Sequence, residues 1–364
     1  MAELKTLINR MMEDGTFATI TNNPLAQFGS GARVYLGASI LPYRAVPENA
    51  YRETNIRYRT VIANDGTRYS PAQKKGGSAN VGEMLVELGY SDIASEFTGR
   101  DYDLLQGMLR NSGEEEARQR ISQWIDVAVV RALHEADEKK RWDAIVNASV
   151  TRSGQNGYSE TIAYPNPASH RAAAGGTWTS DSYDPFDDIL AMTNLLDSKG
   201  YRVTRIITSS AVVNKLAGNA KVQQRSGSLQ VSASGTIEVL SGFGTRNAVA
   251  NSMSASGLPV IESYDLTYEN EAGTRTKFLP ADSMVFLSET GQEETYTFEQ
   301  GTKVVGDILG YTALGRPAGA PQSGRVLHVQ QFNDKPPRIE AQAWQASLPV
   351  ITEPEALAVI TGIA

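Results

Sequence analysis

Residues 114–147, EEEARQRISQWIDVAVVRALHEADEKKRWDAIVN, carry helical signals for longer than most globular helices run. Glu114, Glu115 and Glu116 suit the positive first turn of a helix, and Ser112 is placed to cap it. Ile121, Ile125, Ala128, Ala132, Trp142, Ile145 and Val146 fall close to one stripe. At 1.5 Å per residue such a helix is roughly 50 Å long. The expectation is a spine across which other elements lie. A coiled coil is disfavoured, because HEADEKKR at 134–141 interrupts any heptad.

A second stretch, YDPFDDILAMTNLLDSKGYRVTRIITSSAVVNKL at 183–216, reads as helix, strand, helix. Asp184 is an N-cap, Pro185 fits the first turn, and Asp187 and Asp188 favour the dipole's positive end. Phe186, Ile189, Leu190, Leu195 and Leu196 form the apolar stripe, and Lys199-Gly200 is the stop. Tyr201 to Ile207 is β-branched and aromatic enough for a strand, and Ser209 or Ser210 can cap the next helix. In α/β enzymes chemistry sits at the C-terminal end of such a strand. Here that end holds only Thr208-Ser209-Ser210, with no glycine loop, acid or histidine.

The rest of the sequence carries no clearer catalytic signature. His134, His170 and His328 are far apart, and His134-Glu135 lacks a zincin's second histidine, so His134 is expected to be an exposed helical residue. Gly242-Phe243-Gly244 imitates a dinucleotide loop but lacks the third glycine, and no helix or ribose-binding acid is legible after it. No Walker lysine loop or G-x-S-x-G elbow occurs. Cysteine is absent, which removes disulfides, thiol catalysis and zinc-thiolate sites. The expectation is no enzyme, no catalytic residue, no cofactor and no metal. The four tryptophans are expected as core or interface anchors.

The formal charge of −7 argues against tight nucleic-acid binding but not against a protein that encloses nucleic acid. No apolar run approaches the ~18 residues of a membrane span, and the start, MAELKTLINRMMEDG, reads as amphipathic and not as a secretory signal.

Against that acidic balance stands residues 50–77, AYRETNIRYRTVIANDGTRYSPAQKKGG. It has six basic residues (Arg52, Arg57, Arg59, Arg68, Lys74, Lys75) and two acids, Glu53 and Asp65. Alternation through Ile56, Tyr58, Thr60 and Ile62 and the turn signal Asn64-Asp65-Gly66 predict a β-hairpin with a basic edge. It is either a solvated hairpin or an arm reaching an acidic surface on another subunit. RVYLGASILPY before it is expected as a strand; residues 150–182 look like a linker or surface loop. The last segment is strand-rich, with EALAVITGIA as a buried strand or helix end.

These parts together resemble a tailed-phage major capsid protein of the lambda-like major capsid protein E family. The resemblance rests on GGTWTSDSYDPFDDI (175–189), FLPADSMVFL (278–287) and ASLPVITEPEALAVITGIA (346–364), in that order and spacing. It implies an α+β chain with the tailed-phage/herpesvirus major capsid fold. Residues 1–44 would be an N-terminal arm, 45–100 an extended loop and 101–182 a peripheral domain with the 114–147 spine. Residues 183–324 would be an axial α/β domain, and 325–364 a C-terminal return to the peripheral domain. It implies a homo-oligomer of pentamers and hexamers in an icosahedral shell that encloses DNA without sequence-specific binding, with no membrane partner. A separate scaffolding protein, a portal protein and a cement or decoration protein are the implied partners, and the virion, assembled in the host cytoplasm, is the implied location. The expected inter-subunit contacts in the extended loop are Arg57, Arg59, Arg68, Lys74 and Lys75. An encapsulin-type nanocompartment shell is the alternative, and an α/β enzyme is disfavoured by the strand end at 208–210.

Overall fold

The computed structural model describes residues 4–17, 21, 35–58, 79–111, 113–153, 159–225, 228–231, 237–240, 245–270, 272–288, 293–297, 303–307, 309–332 and 335–364. The chain opens with helix α1 (Leu4–Glu13), whose Leu4, Leu7, Ile8 and Met11 are buried as the i, i+3, i+4 spacing requires. Short α2 (Leu36–Ile40), strand β1 (Tyr43–Ala45), the paired β2 (Ala50–Tyr58) and β3 (Ala79–Glu87), β4 (Gly89–Thr98) and α3 (Arg100–Asn111) follow.

Next comes the spine, one continuous helix in three segments. These are α4 (Glu114–Ile125), a π-helical stretch Asp126–Val130 and α5 (Arg131–Asn147). The π-stretch changes which residues face inward. A regular α-helix carries the stripe from Ile125 to Ala128 and Ala132; the π-stretch adds one residue, and Val129, Val130 and Leu133 are buried instead, while Ala128 and Ala132 are half-exposed. Ile121, Ile125, Trp142, Ile145 and Val146 are buried as expected. The N-cap is Gly113, at φ +104, and no side chain caps the helix; Ser112 lies outside the described residues. The helix ends at Ala148, a left-handed residue at φ +49.

After the spine come the hairpin β5 (Ser149–Ser153) and β6 (Ser159–Ala163), β7 (Arg171–Ala173), α6 (Pro185–Ser198), β8 (Val203–Thr208), α7 (Ser210–Gly218) and α8 (Ala220–Arg225). Then come β9 (Ser228–Val231), β10 (Ile237–Leu240), α9 (Arg246–Ala255), β11 (Ile261–Ser263), β12 (Thr267–Glu269), β13 (Arg275–Lys277) and β14 (Met284–Ser288). The chain closes with β15 (Glu293–Thr297), β16 (Lys303–Asp307), β17 (Gly310–Leu314), β18 (Arg325–Phe332), β19 (Arg338–Ile351) and β20 (Leu357–Thr361).

Two five-stranded sheets organise these elements. One is built on the 14-residue β19, ordered β1-β17-β19-β18, with β4 also pairing β19 from Ser347 to Arg338. The other runs β11-β8-β14-β20-β7. Both draw strands from either side of residue 324: β17 joins the first sheet, and β20 lies between β14 and β7 in the second. Every residue of β14 and Leu357–Ile360 of β20 are buried, so these apolar runs read as continuous rather than alternating. A single apolar cluster runs from Leu348 and Val350 of the first sheet through Trp142 and Ile145 of the spine to Val285 and Val359 of the second. The spine therefore joins two layers.

The helix–strand–helix unit forms as its local signals require. The Asp184 carboxylate accepts from the Phe186 amide at 3.0 Å, Gly200 takes φ +88 at the stop, and Ser209 caps α7 by accepting from Val212. Residues 150–182, expected as a linker or surface loop, instead hold the β5–β6 pair and β7 of the second sheet and bury Tyr164 and Trp178. Two further local expectations fail. RVYLGASILPY contains α2 rather than a strand through its centre, because the Gly37 amide is captured by the buried Glu138 carboxylate at 2.8 Å. A helix does follow Gly244: Thr245 caps α9 by accepting from Ala248. Residues 241–244 lie outside the described set.

Candidate functional site

At the end of β8 every hydroxyl is committed to the scaffold. Thr208 donates to the Ser283 carbonyl at 2.7 Å, and Ser209 donates to the Ala281 carbonyl at 2.6 Å while capping α7. The Ser210 amide donates to the Asp265 carboxylate, which Lys277 also holds at 2.6 Å. Partly opposed by burial, these donors hold the Asp265 pKa below its usual value. The Asp265 carboxylate takes the Ser210 hydroxyl as well as its amide, and is itself held by Lys277. Among the described residues, no cluster of three histidines or carboxylates is placed to hold a metal.

The strand end leads instead to the spine. The Tyr264 amide donates to the Thr208 carbonyl at 2.8 Å, which sets Tyr264 just beyond β8. Its hydroxyl donates to Glu138 at 2.8 Å, and its ring stacks on Trp142. One Glu138 oxygen thus gathers three donors: the Gly37 amide, the Trp142 indole and the Tyr264 phenol, each at 2.8 Å. Arg141 reaches the other oxygen at 3.3 Å. Burial and the adjacent carboxylate push the Tyr264 pKa well above the phenol range.

Asp137, next in sequence, serves the β19 sheet. One of its oxygens accepts from Gln345 at 2.8 Å and Ser347 at 2.6 Å; the other accepts from the Tyr43 hydroxyl at 2.8 Å and Arg325 at 3.1 Å. The Arg141 and Arg325 guanidiniums both lie over the Tyr43 ring, 4.2 and 4.5 Å from its centroid. Desolvation opposes ionisation of Asp137, but Arg325, Lys140 and Arg141 outweigh it and hold the pKa below the carboxylate range. The Tyr43 pKa is pushed up to about 12, mainly by burial. HEADEKKR, which breaks any heptad, is thus a heavily bonded part of the spine. Unpaired charges at such depth would be expelled, and here each has a partner. His134, expected to be exposed, is half-buried, with Tyr35 and Tyr43 rings 6.4 and 6.3 Å away.

Of the expected inter-subunit residues, Arg57 is placed only by its backbone, on β2 opposite Asn80 of β3. Arg59, Arg68, Lys74 and Lys75 lie outside the described residues, as does the Asn64-Asp65-Gly66 turn. The paired strands extend Tyr58 opposite Ala79, so residues 59–78 connect them.

Two sheets are thus fused across a charged spine, and the paired β2–β3 strands extend beside one of them. The family model for phage major capsid protein E matches residues 94–358. The chain belongs to the phage major capsid protein E family. That match spans the spine, most of both sheets and the strand end at 208–210. A prophage protein from E. coli CFT073, assigned as a capsid protein, is similar over 96% of this chain and 98% of its own, at 15% identity and a TM-score of 0.60. A phage-related protein from Bordetella bronchiseptica RB50 is similar over 96% of each chain, at 11% identity and a TM-score of 0.51. An encapsulin from Synechococcus elongatus PCC 7942 aligns over 95% of this chain with a TM-score of 0.45 and 11% identity. No curated protein matches by sequence. The fold is that of phage capsid proteins, and the chain is a phage major capsid protein, a shell component of the virion; the family match favours this over the encapsulin reading.

Proposed function

We propose that copies of this chain close into an icosahedral shell of pentamers and hexamers around double-stranded DNA. The observation that carries this reading is the family match, which covers most of both sheets and the spine that joins them. Residues 183–324 act as the axial wedge around the symmetry axes, with the spine and β19 region as the peripheral platform. The 45–100 loop overlaps a neighbouring subunit, where Arg57, Arg59, Arg68, Lys74 and Lys75 meet acidic groups. A net charge of −7 suits a wall that must not trap its genome through counterion release. Heterologous contacts that close under rotation give a finite shell. A separate scaffolding protein directs curvature, a portal protein occupies one vertex, a cement or decoration protein reinforces the lattice, and assembly takes place in the host cytoplasm.

The test is electron microscopy and sedimentation of the chain co-expressed with its scaffolding protein. Closed, DNA-competent shells are expected; a stable dimer as the sole product would overturn the reading.

A further inference from the structure

The β2–β3 extension leaves the β19 sheet through a short root, and that root is gripped from two sides. On one side stands Asn49, the residue before β2. Its amide group donates to the Arg316 carbonyl at 2.8 Å and to the Tyr90 hydroxyl at 3.0 Å, and its oxygen accepts from the Arg316 amide at 2.9 Å. Its backbone carbonyl accepts from the Leu88 amide at 2.8 Å. One side chain therefore joins the loop after β17 to both ends of the extension. That loop is itself tied down: Gly315 donates to the Ala346 carbonyl of β19, Trp344 donates to the Ala318 carbonyl at 3.0 Å, and Ser323 donates to the Val46 carbonyl. Asn49, Tyr90 and residues 316–321 line a cleft of about 510 Å³ at this point.

Arg152 of β5 stands on the other side. It donates to the Glu87 carbonyl at 2.6 Å, at the last residue of β3, and is paired with Glu160 of β6 at 3.6 Å. Two glycines make room for this grip. A Cβ at Gly89 would lie 2.6 Å from the Arg152 side chain, and one at Gly315 would collide with the Asn49 amide oxygen and with Leu88. Neither glycine has a positive φ, so close approach is the reason a side chain is excluded.

We propose that Asn49 and Arg152 are positioning residues that fix the direction in which the extension leaves the subunit, and that this fixed direction selects closed assembly. The inference rests on the reading that the extension reaches a neighbouring subunit. A lever on a loose root pays ordering entropy each time it docks, and a lever held in its docking direction does not. An asparagine is suited to the task because its amide both donates to and accepts from the backbone of one residue, Arg316, as a neighbouring strand would. Aspartate keeps only the accepting half.

The absence of cysteine allows the test to be made directly. Tyr58→Cys on β2 and Gln330→Cys on β18 take spin labels, and the distance distribution between them is measured on the unassembled chain. The parent should give one narrow peak. Asn49→Ala and, independently, Gly315→Ala should lose it to a broad distribution while circular dichroism is unchanged, with Asn49→Asp intermediate. The same variants should yield fewer closed shells and more open or irregular products with the scaffolding protein. A narrow peak retained in both Asn49→Ala and Gly315→Ala overturns the proposal. The underlying reading fails separately: Arg57→Glu/Arg59→Glu should keep the narrow peak and lose assembly. If that variant assembles normally, the docking reading falls while the distance result still judges the root.

Discussion

Tyr264 donates its phenol hydrogen to Glu138 at 2.8 Å and lays its ring on Trp142 at a centroid separation of 5.1 Å. This contact joins the end of β8 to the spine. A position that in an enzyme of this topology would face substrate is turned here toward the subunit's own frame.

Replacing either partner should have graded effects. Glu138→Ala leaves Arg141 without its carboxylate and three buried donors without an acceptor, and should cost about 3–5 kcal/mol. Tyr264→Phe removes one donor from an oxygen that keeps two others, and should cost about 2 kcal/mol. Urea unfolding of the unassembled chain measures both. An equal or reversed order would mean that Glu138 is not the hub of the contact.

Stability should fall on mild acidification because of His134. Desolvation, then repulsion from Arg325, hold its pKa well below the ordinary value; Arg141 acts the same way and Asp137 opposes. The folded chain keeps the ring neutral, while the unfolded chain protonates it near pH ~6.5. The stabilisation is thus complete above that pH and declines as pH falls through it, before ordinary carboxylates titrate. His134→Gln should remove this part of the slope. Denaturant midpoints between pH 5 and 8 decide, and an unchanged slope in the variant would assign the effect elsewhere.

The π-stretch makes a prediction that substitutions cannot. A single extra residue at 126–130 leaves both flanking segments on their own faces. Deleting Val127, which is 55% exposed, should return the stretch to regular α-helix and leave the chain folded. Deleting Lys139 should instead rotate Trp142 and Ile145 about 100° off their face and prevent folding. Ile125→Asp, which buries an unpaired charge, should also abolish folding. Soluble expression and circular dichroism separate these outcomes. A folded Lys139 deletion would contradict the buried face assigned to α5.

The family and fold were legible through the resemblance of residues 175–189, 278–287 and 346–364, which the family match bears out; what the residues showed by themselves was local. The cap at Asp184, the stop at Gly200 and the Ser209 cap are determined by residues within one turn, and all form. The missing parts depend on partners far along the chain. Ala128 and Ala132 fit a regular stripe until an inserted residue hands their places to Val129 and Leu133, and no spacing rule places such an insertion. Asp137 and Glu138 registered in the sequence only as a break in the heptad, because a charged residue declares its burial only through its partners. Those partners, Tyr43, Tyr264, Arg325, Gln345 and Ser347, are between 94 and 210 residues away. Gly37 turned from strand to helix for the same reason. A near-consecutive Asp-Glu and Arg on an otherwise apolar helical face was the available signal, since a buried helix with charges on its inner face must have something to pair with.

The extension's charge offers the last prediction. Arg57 and Arg59 are two apart, so on a strand they share a face. Reversing both to Glu should leave the unassembled chain's stability nearly unchanged, because at the proposed contact these charges meet their partners only on another subunit. At the proposed contact each reversed charge meets a like charge, repeated at every copy of the interface, so assembly should fail at low salt. Screening shortens that repulsion to a Debye length of roughly 10 Å at 0.1 M, and added salt should partly restore shells. Light scattering of assembly across a salt series, beside circular dichroism of the unassembled chain, reads both effects. Normal assembly by the double variant at low salt would return these arginines to a solvated edge, because a cationic strip essential to docking cannot change sign without consequence.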